Sequence, residues 1–127
     1  KVLGAGDARE KLGDEEYDFY KKKFHLMQIR TYILEKKISS ECEDVGAVVL
    51  YYYRQGDSLS EEQGRVLDSL VVERGLRVFA VEFNYSKELR FLEEYYQVNQ
   101  TPTLIVNFKD VLVGPVSREG LVPLVHG

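Results

Sequence analysis

The stretch Gly46-Ala47-Val48-Val49-Leu50-Tyr51-Tyr52-Tyr53-Arg54-Gln55-Gly56-Asp57-Ser58-Leu59-Ser60-Glu61 decides the fold. Its first eight residues are a continuous apolar run of strand length, the pattern of a strand covered on both faces. Arg54, Gln55 and Gly56 end the run. Ser58-Leu59-Ser60-Glu61 then reads as a capping box, in which a serine and a later glutamate satisfy the free N–H groups of a helix start. Val66, Leu67, Leu70 and Val71 form the inner side of that helix, and Gly75 closes it. A second apolar strand follows at Leu76–Phe83. A strand–helix–strand unit of this length predicts two parallel strands joined by a right-handed crossover.

Working toward the C-terminus, Ser86 to Tyr96 reads as a short helix, and Gln100-Thr101-Pro102 leads into a third strand at Thr103–Phe108. Lys109-Asp110 is read as a tight turn into Val111-Leu112-Val113, which makes the last two strands an antiparallel hairpin. Ser117 caps a final helix that Pro123 shortens or kinks. The order β-α-β-α-β-β-α predicts an α/β domain over residues 45–127, with a mixed four-stranded sheet and helices on both faces.

Working toward the N-terminus, residues 14–38 turn helical. Asp14, Glu15 and Glu16 suit a helix start, and Lys36 and Lys37 its end. Tyr17, Tyr20, Phe24, Met27, Thr31, Leu34 and Ile38 follow alternating spacings of three and four, a single apolar seam. Phe19, Leu26 and Ile33 repeat every seven residues as a second stripe on another face. Both stripes are expected to bury, against the chain's own domain or against a second subunit or partner, and the second stripe is assigned to self-association. His25, off the main seam, is expected to be solvated. Residues 1–13 hold three glycines and are read as a flexible leading segment. The start at Lys1 fits a removed leader or anchor, or an excised piece of a longer protein, and it leaves the compartment open.

Length and composition fit this layout. The chain has 127 residues, enough for one domain with a real core and too few for two. An apolar fraction of 44%, with nine tyrosines and six phenylalanines, argues against disorder. Seventeen Lys and Arg against 21 Asp and Glu give a net charge of −4, with no broad electrostatic footprint for nucleic acid. No apolar run is long enough to span a bilayer. The lone cysteine, Cys42, excludes an intrachain disulfide and any zinc site built mainly on cysteine. No phosphate loop, catalytic triad, paired carboxylates or metal-ligand spacing occurs, so no cofactor and no metal are expected.

Two features make the region from Val45 to Val125 resemble the thioredoxin-fold family. Gln100-Thr101-Pro102-Thr103 stands before the hairpin, where that family carries its cis-proline, and the stretch quoted above runs without gaps alongside the family's strand, loop and helix opening. In that alignment Asp57-Ser58-Leu59-Ser60 falls where active members carry Cys-x-x-Cys. Disulfide exchange needs a thiolate, and Asp57 and Ser60 supply none. Gly56 replaces the usual tryptophan, Tyr51 the buried acid and Ala80 its companion lysine. The resemblance therefore implies a redox-inactive domain that binds a protein or peptide, or serves assembly, through the cis-proline end, the N-terminal helix or both. At the cis-proline end, the residue before the proline would pair with an extended peptide by strand addition. The groove residues it implies are Gln55, Asp57, Ser58, Ser60, Thr101 and Pro102, with Tyr85 as a further border. Asp57, Ser58 and Ser60 stand where a helix N-terminus could bind an anion, but Asp57 and Glu61 bring negative charge there, so Ser58 or Asp57 is read as the helix cap. The alternative is a thiol oxidoreductase working through Cys42 with a partner's cysteine. Against it, Cys42 precedes the first strand and so lies at the far end of the sheet from Pro102, among Glu41, Glu43 and Asp44, which raise a thiol's pKa.

Overall fold

Six apolar and aromatic residues in succession can be stable only as a strand buried on both sides, and Val48–Tyr53 forms β1, the inner strand around which the domain is built. The computed structural model describes residues 13–41 and 47–125. In chain order the elements are α1 (Asp14–Glu41), β1, α2 (Ser58–Arg74), β2 (Arg77–Glu82), a 3-10 turn (Lys87–Leu89) running into α3 (Arg90–Tyr95), β3 (Thr103–Val106), β4 (Asp110–Val113) and α4 (Arg118–Leu121), which tightens into a 3-10 turn (Val122–Leu124). The sheet order is β2-β1-β3-β4. β1 is parallel to β2 and antiparallel to β3, and β3 and β4 form the hairpin. This is the mixed four-stranded α/β sheet, led by a long helix, that the sequence predicts.

Alternation along the strands sends side chains to two separate cores. Val48, Leu50 and Tyr52 meet Phe79, Val81 and Ile105 on one face, under Leu92 and Tyr96. Val49 and Tyr51 meet Leu104 and Val106 on the other, under Leu67 and Leu70 of α2 and Leu121. Tyr52 is fully buried, yet its hydroxyl finds no hydrogen-bond partner among the described residues. A buried donor left unmade costs about 1–3 kcal/mol. Tyr52→Phe is therefore expected to raise stability by about 1 kcal/mol in urea unfolding, and a loss of stability would show that the hydroxyl is paired after all.

The largest departure from expectation is in α1. Most of the apolar seam does not face the domain: Tyr17 at its start is buried and Phe24 half-buried, but Tyr20, Met27, Leu34 and Ile38 are exposed, and so are Phe19, Leu26 and Ile33 of the second stripe. The buried residues are Tyr17, His25, Ile29 and Tyr32. The cause is the edge strand. β2 has a neighbour on one side only, so its outward N–H groups need acceptors. Gln28 Oε1 accepts from the Ala80 N–H at 3.0 Å, and His25 Nε2 accepts from the Glu82 N–H at 3.0 Å. Glu35 pairs with Arg77 at 2.8 Å, and Lys21 with Glu82 at 2.5 Å. Ile29 and Tyr32 join the first core, where the hydroxyls of Tyr32 and Tyr96 bond at 2.7 Å. His25 is thus buried, not solvated.

Smaller departures have local reasons. Of the two caps the sequence offers for α2, Asp57 and Ser58, the structure uses Asp57, its side chain accepting from the Ser60 N–H. The β3–β4 turn is centred on Asn107 and Phe108, both left-handed, one residue pair earlier than Lys109-Asp110. The Ser86–Tyr96 helix is split, its first turn tightening to 3-10. α1 runs on to Glu41 because nothing in its last residues breaks a helix. Cys42 and residues 1–12 lie outside the described residues.

Candidate functional site

The register of the sheet assembles the site. Tyr52, one residue before the end of β1, pairs with Thr103 at the start of β3. The loop after β1 and the Thr101–Pro102 peptide therefore share one end of the sheet. The Thr101–Pro102 bond is cis. Pro102 is buried, and its carbonyl accepts from the Gly114 N–H at 2.9 Å, which ties it to β4. The Thr103 hydroxyl donates to the Gln100 carbonyl at 2.7 Å. Thr101 between them is half-exposed, and its backbone N–H and C=O make no hydrogen bond among the described residues.

Opposite stands the N-terminus of α2. Asp57 Oδ2 accepts from the Ser60 N–H at 3.3 Å and from the Ser60 hydroxyl at 2.9 Å. The Ser60 hydroxyl in turn accepts from the Arg54 N–H at 3.1 Å, and the Ser60 carbonyl accepts from the Tyr51 hydroxyl. Burial raises the pKa of that phenol, so it remains a donor. Ser60 is therefore enclosed and its groups are spoken for, which fixes the loop. Ser58 is exposed in the first turn. The Asp57 carboxylate occupies the place an added anion would need, so this helix end caps itself. Gln55 is exposed, and its Oε1 accepts from Lys21 Nζ at 3.1 Å. That bond joins the loop to α1.

Lys21 and Gln28 are the residues that sequence reasoning passed over, and His25 is the one it placed in solvent. Their signal is the spacing 17-21-25-28-32, a helical row that is polar where the edge of β2 needs acceptors. His25 donates through Nδ1 to the Lys21 carbonyl at 2.8 Å, leaving Nε2 as acceptor. Its ring stacks on Tyr85 at 4.3 Å. Tyr85, expected as a border of the groove, is thus engaged with α1. Lys21 Nζ lies 5.3 Å from the Tyr85 ring centre.

α1 and α2 also enclose an open trough of about 860 Å³. Val78 and Ala80 form its floor, Tyr20 and Phe24 one wall and Val71 the other, and Gln55 and Gly56 stand at one end. Asp57, Ser58, Thr101 and Pro102 do not line it. Val71, expected on the inner side of its helix, is exposed at this rim. No group of three His, Cys, Asp or Glu side chains with metal-binding geometry occurs among the described residues. No described helix is long and apolar enough to cross a membrane.

No protein-family profile and no curated protein sequence matches the chain. Solved structures do. A mutant thioredoxin from Halobacterium salinarum is similar with a TM-score of 0.54 and 18% identity, over 63% of this chain and 72% of that one. Trxlp from Edwardsiella tarda is similar with a TM-score of 0.52 and 26% identity, over 65% and 84%. A malarial protein gives a TM-score of 0.50 and 22% identity, over 63% and 93%. With the sheet order, the register and the helices described above, the chain has a thioredoxin-like fold preceded by a long N-terminal helix.

Proposed function

We propose that this chain is a redox-inactive thioredoxin-like binding module, which holds an extended segment of a partner protein at the sheet end between Thr101 and the Gln55–Ser58 loop. The observation that carries the reading is the Thr101 backbone, half-exposed and without a hydrogen bond among the described residues. A free N–H and C=O beside the end of a sheet are what an added strand pairs with. Asp57 and Ser60 support the redox-inactive part, since they hold the helix start by a carboxylate–hydroxyl bond and offer no thiolate.

Two measurements test it. In the insulin-reduction assay with dithiothreitol, turbidity should develop no faster than with dithiothreitol alone. Acceleration that Cys42→Ser abolishes would replace this reading with the thiol oxidoreductase one. Titration of the 15N-labelled chain with reduced, carboxymethylated α-lactalbumin, a permanently unfolded probe, should shift amides at residues 54–58 and 100–102. Unmoved amides there at saturating probe would sink the proposal.

A further inference from the structure

α1 turns its more polar face inward and leaves its more apolar face outside. Met27 is 56% exposed and Leu34 55%, in one row with Tyr20 and Ile38. Phe19, 64% exposed, begins a second row with Leu26 and Ile33. At 100° per residue a third row, Lys23, Arg30 and Lys37, runs between these two, and all three are exposed. Between Phe19 and Ile38 the sequence has a single carboxylate, Glu35, and that one is turned onto Arg77. The outer face is thus apolar and cationic over about 28 Å of helix, at 1.5 Å per residue.

Heptad spacing of an apolar seam with a flanking row of one charge is the pattern by which helices select a partner helix. Met27, Thr31, Leu34 and Ile38 are the open seam, Tyr20 and Phe24 at its start also wall the trough, and Lys23 and Arg30 lead the flank. We infer that the outer face of α1 docks an amphipathic helix of another protein, whose apolar heptad seam is bordered by a row of Glu or Asp. Charge selects this occupant. A second copy laid antiparallel would set this cationic row against itself, with Arg30 opposite Arg30. Laid parallel, it would need the row Lys21, Gln28 and Glu35, which is spent on the chain's own domain. A lipid surface fits poorly as well, because the cations lie on the midline between the apolar rows and would be driven deepest. The surface is distinct from the Thr101 end, and either can fail alone.

The test uses two labelled 21-residue peptides of three heptads, with Ile and Leu in the seam and either Glu or Lys in both flanks, followed by fluorescence anisotropy. The Glu peptide should bind, and the double variant Lys23→Glu, Arg30→Glu should weaken it at least about tenfold while gaining affinity for the Lys peptide. Amide shifts on binding should fall on residues 19–38 and spare 54–58 and 100–102. Both altered side chains are exposed, so the variant's thermal melt should match the parent's. Failure of the Glu peptide to bind, or equal binding of both peptides, overturns the inference. Concentration-dependent dimerisation in sedimentation without peptide would give the face to a second copy, and co-sedimentation with phosphatidylserine vesicles would give it to lipid.

Discussion

A chain cut back to residues 45–127 is expected to lose its fold, although it keeps every strand. The reason lies on the outer edge of β2. Without α1 the Ala80 and Glu82 N–H groups lose Gln28 and His25, and the edge is left as a template for pairing with other chains. At the same time Phe79 and Val81 lose Ile29 and Tyr32 from the core they share. Tyr32 is the point where this can be tested by a single change: it is nearly inaccessible and joins α1 to Tyr96 next to α3 through its hydroxyl. Tyr32→Ala should cost about 3–4 kcal/mol, the range for emptying an aromatic site in a packed core. Tyr32→Phe should cost about 1 kcal/mol, the worth of the buried hydroxyl bond alone. For the shortened chain, an amide spectrum without dispersion and a non-cooperative melt are expected. A dispersed spectrum and a sharp melt would make α1 an accessory to a self-sufficient domain.

Most of the sheet was legible because its signals are local. The run Val48–Tyr53 can only be an inner strand, and the crossover and hairpin follow from spacing and turn chemistry. The candidate site was legible only as two segments, residues 55–60 after β1 and Thr101–Pro102 before β3; that they share a sheet end follows from the antiparallel pairing of β1 with β3, which no local signal announces. Which face of α1 packs was not legible. Reading periodicity assumes that the most apolar stripe is the buried one, and here that assumption met a stronger demand. An edge strand must have its outward N–H groups satisfied, and only Gln28 and His25 lie at the right places on α1 to accept from them. The trough was hidden for the same reason, since it exists only once α1 lies beside β2. The cap of α2 was a contest between two local patterns, Asp57 with Ser60 and Ser58 with Glu61, and the longer reach of the aspartate to both Ser60 groups decides it.

His25 gives the edge of β2 a dependence on pH. The imidazole is fully buried and neutral, with Nδ1–H committed to the Lys21 carbonyl and Nε2 accepting from the Glu82 N–H. Protonation would place a second N–H against a backbone N–H in a desolvated site. Burial therefore holds its pKa below the ordinary 6.5, and the Lys21 ammonium adds to that, while the bond to the Lys21 carbonyl and the Glu82 carboxylate pull the other way. The rings of Phe24 and Tyr85 complete its surroundings. Because the folded pKa is the lower one, the unfolded chain binds more protons between the two values, so stability is complete above about pH 6.5 and falls as the pH drops through that window, by at most about 1.4 kcal/mol per unit. Below the folded pKa this group contributes no further slope. His25→Gln keeps an acceptor and cannot titrate, so its urea midpoint should be lower at pH 7.5 yet change less between pH 6.5 and 5.5 than the parent's. His25→Ala should cost about 3 kcal/mol at pH 7.5, since it leaves a cavity, frees the Glu82 N–H and removes the stacking on Tyr85. Equal pH slopes in the parent and His25→Gln would place the acid sensitivity in the carboxylates instead, and would mean that the imidazole can take up its proton without releasing β2.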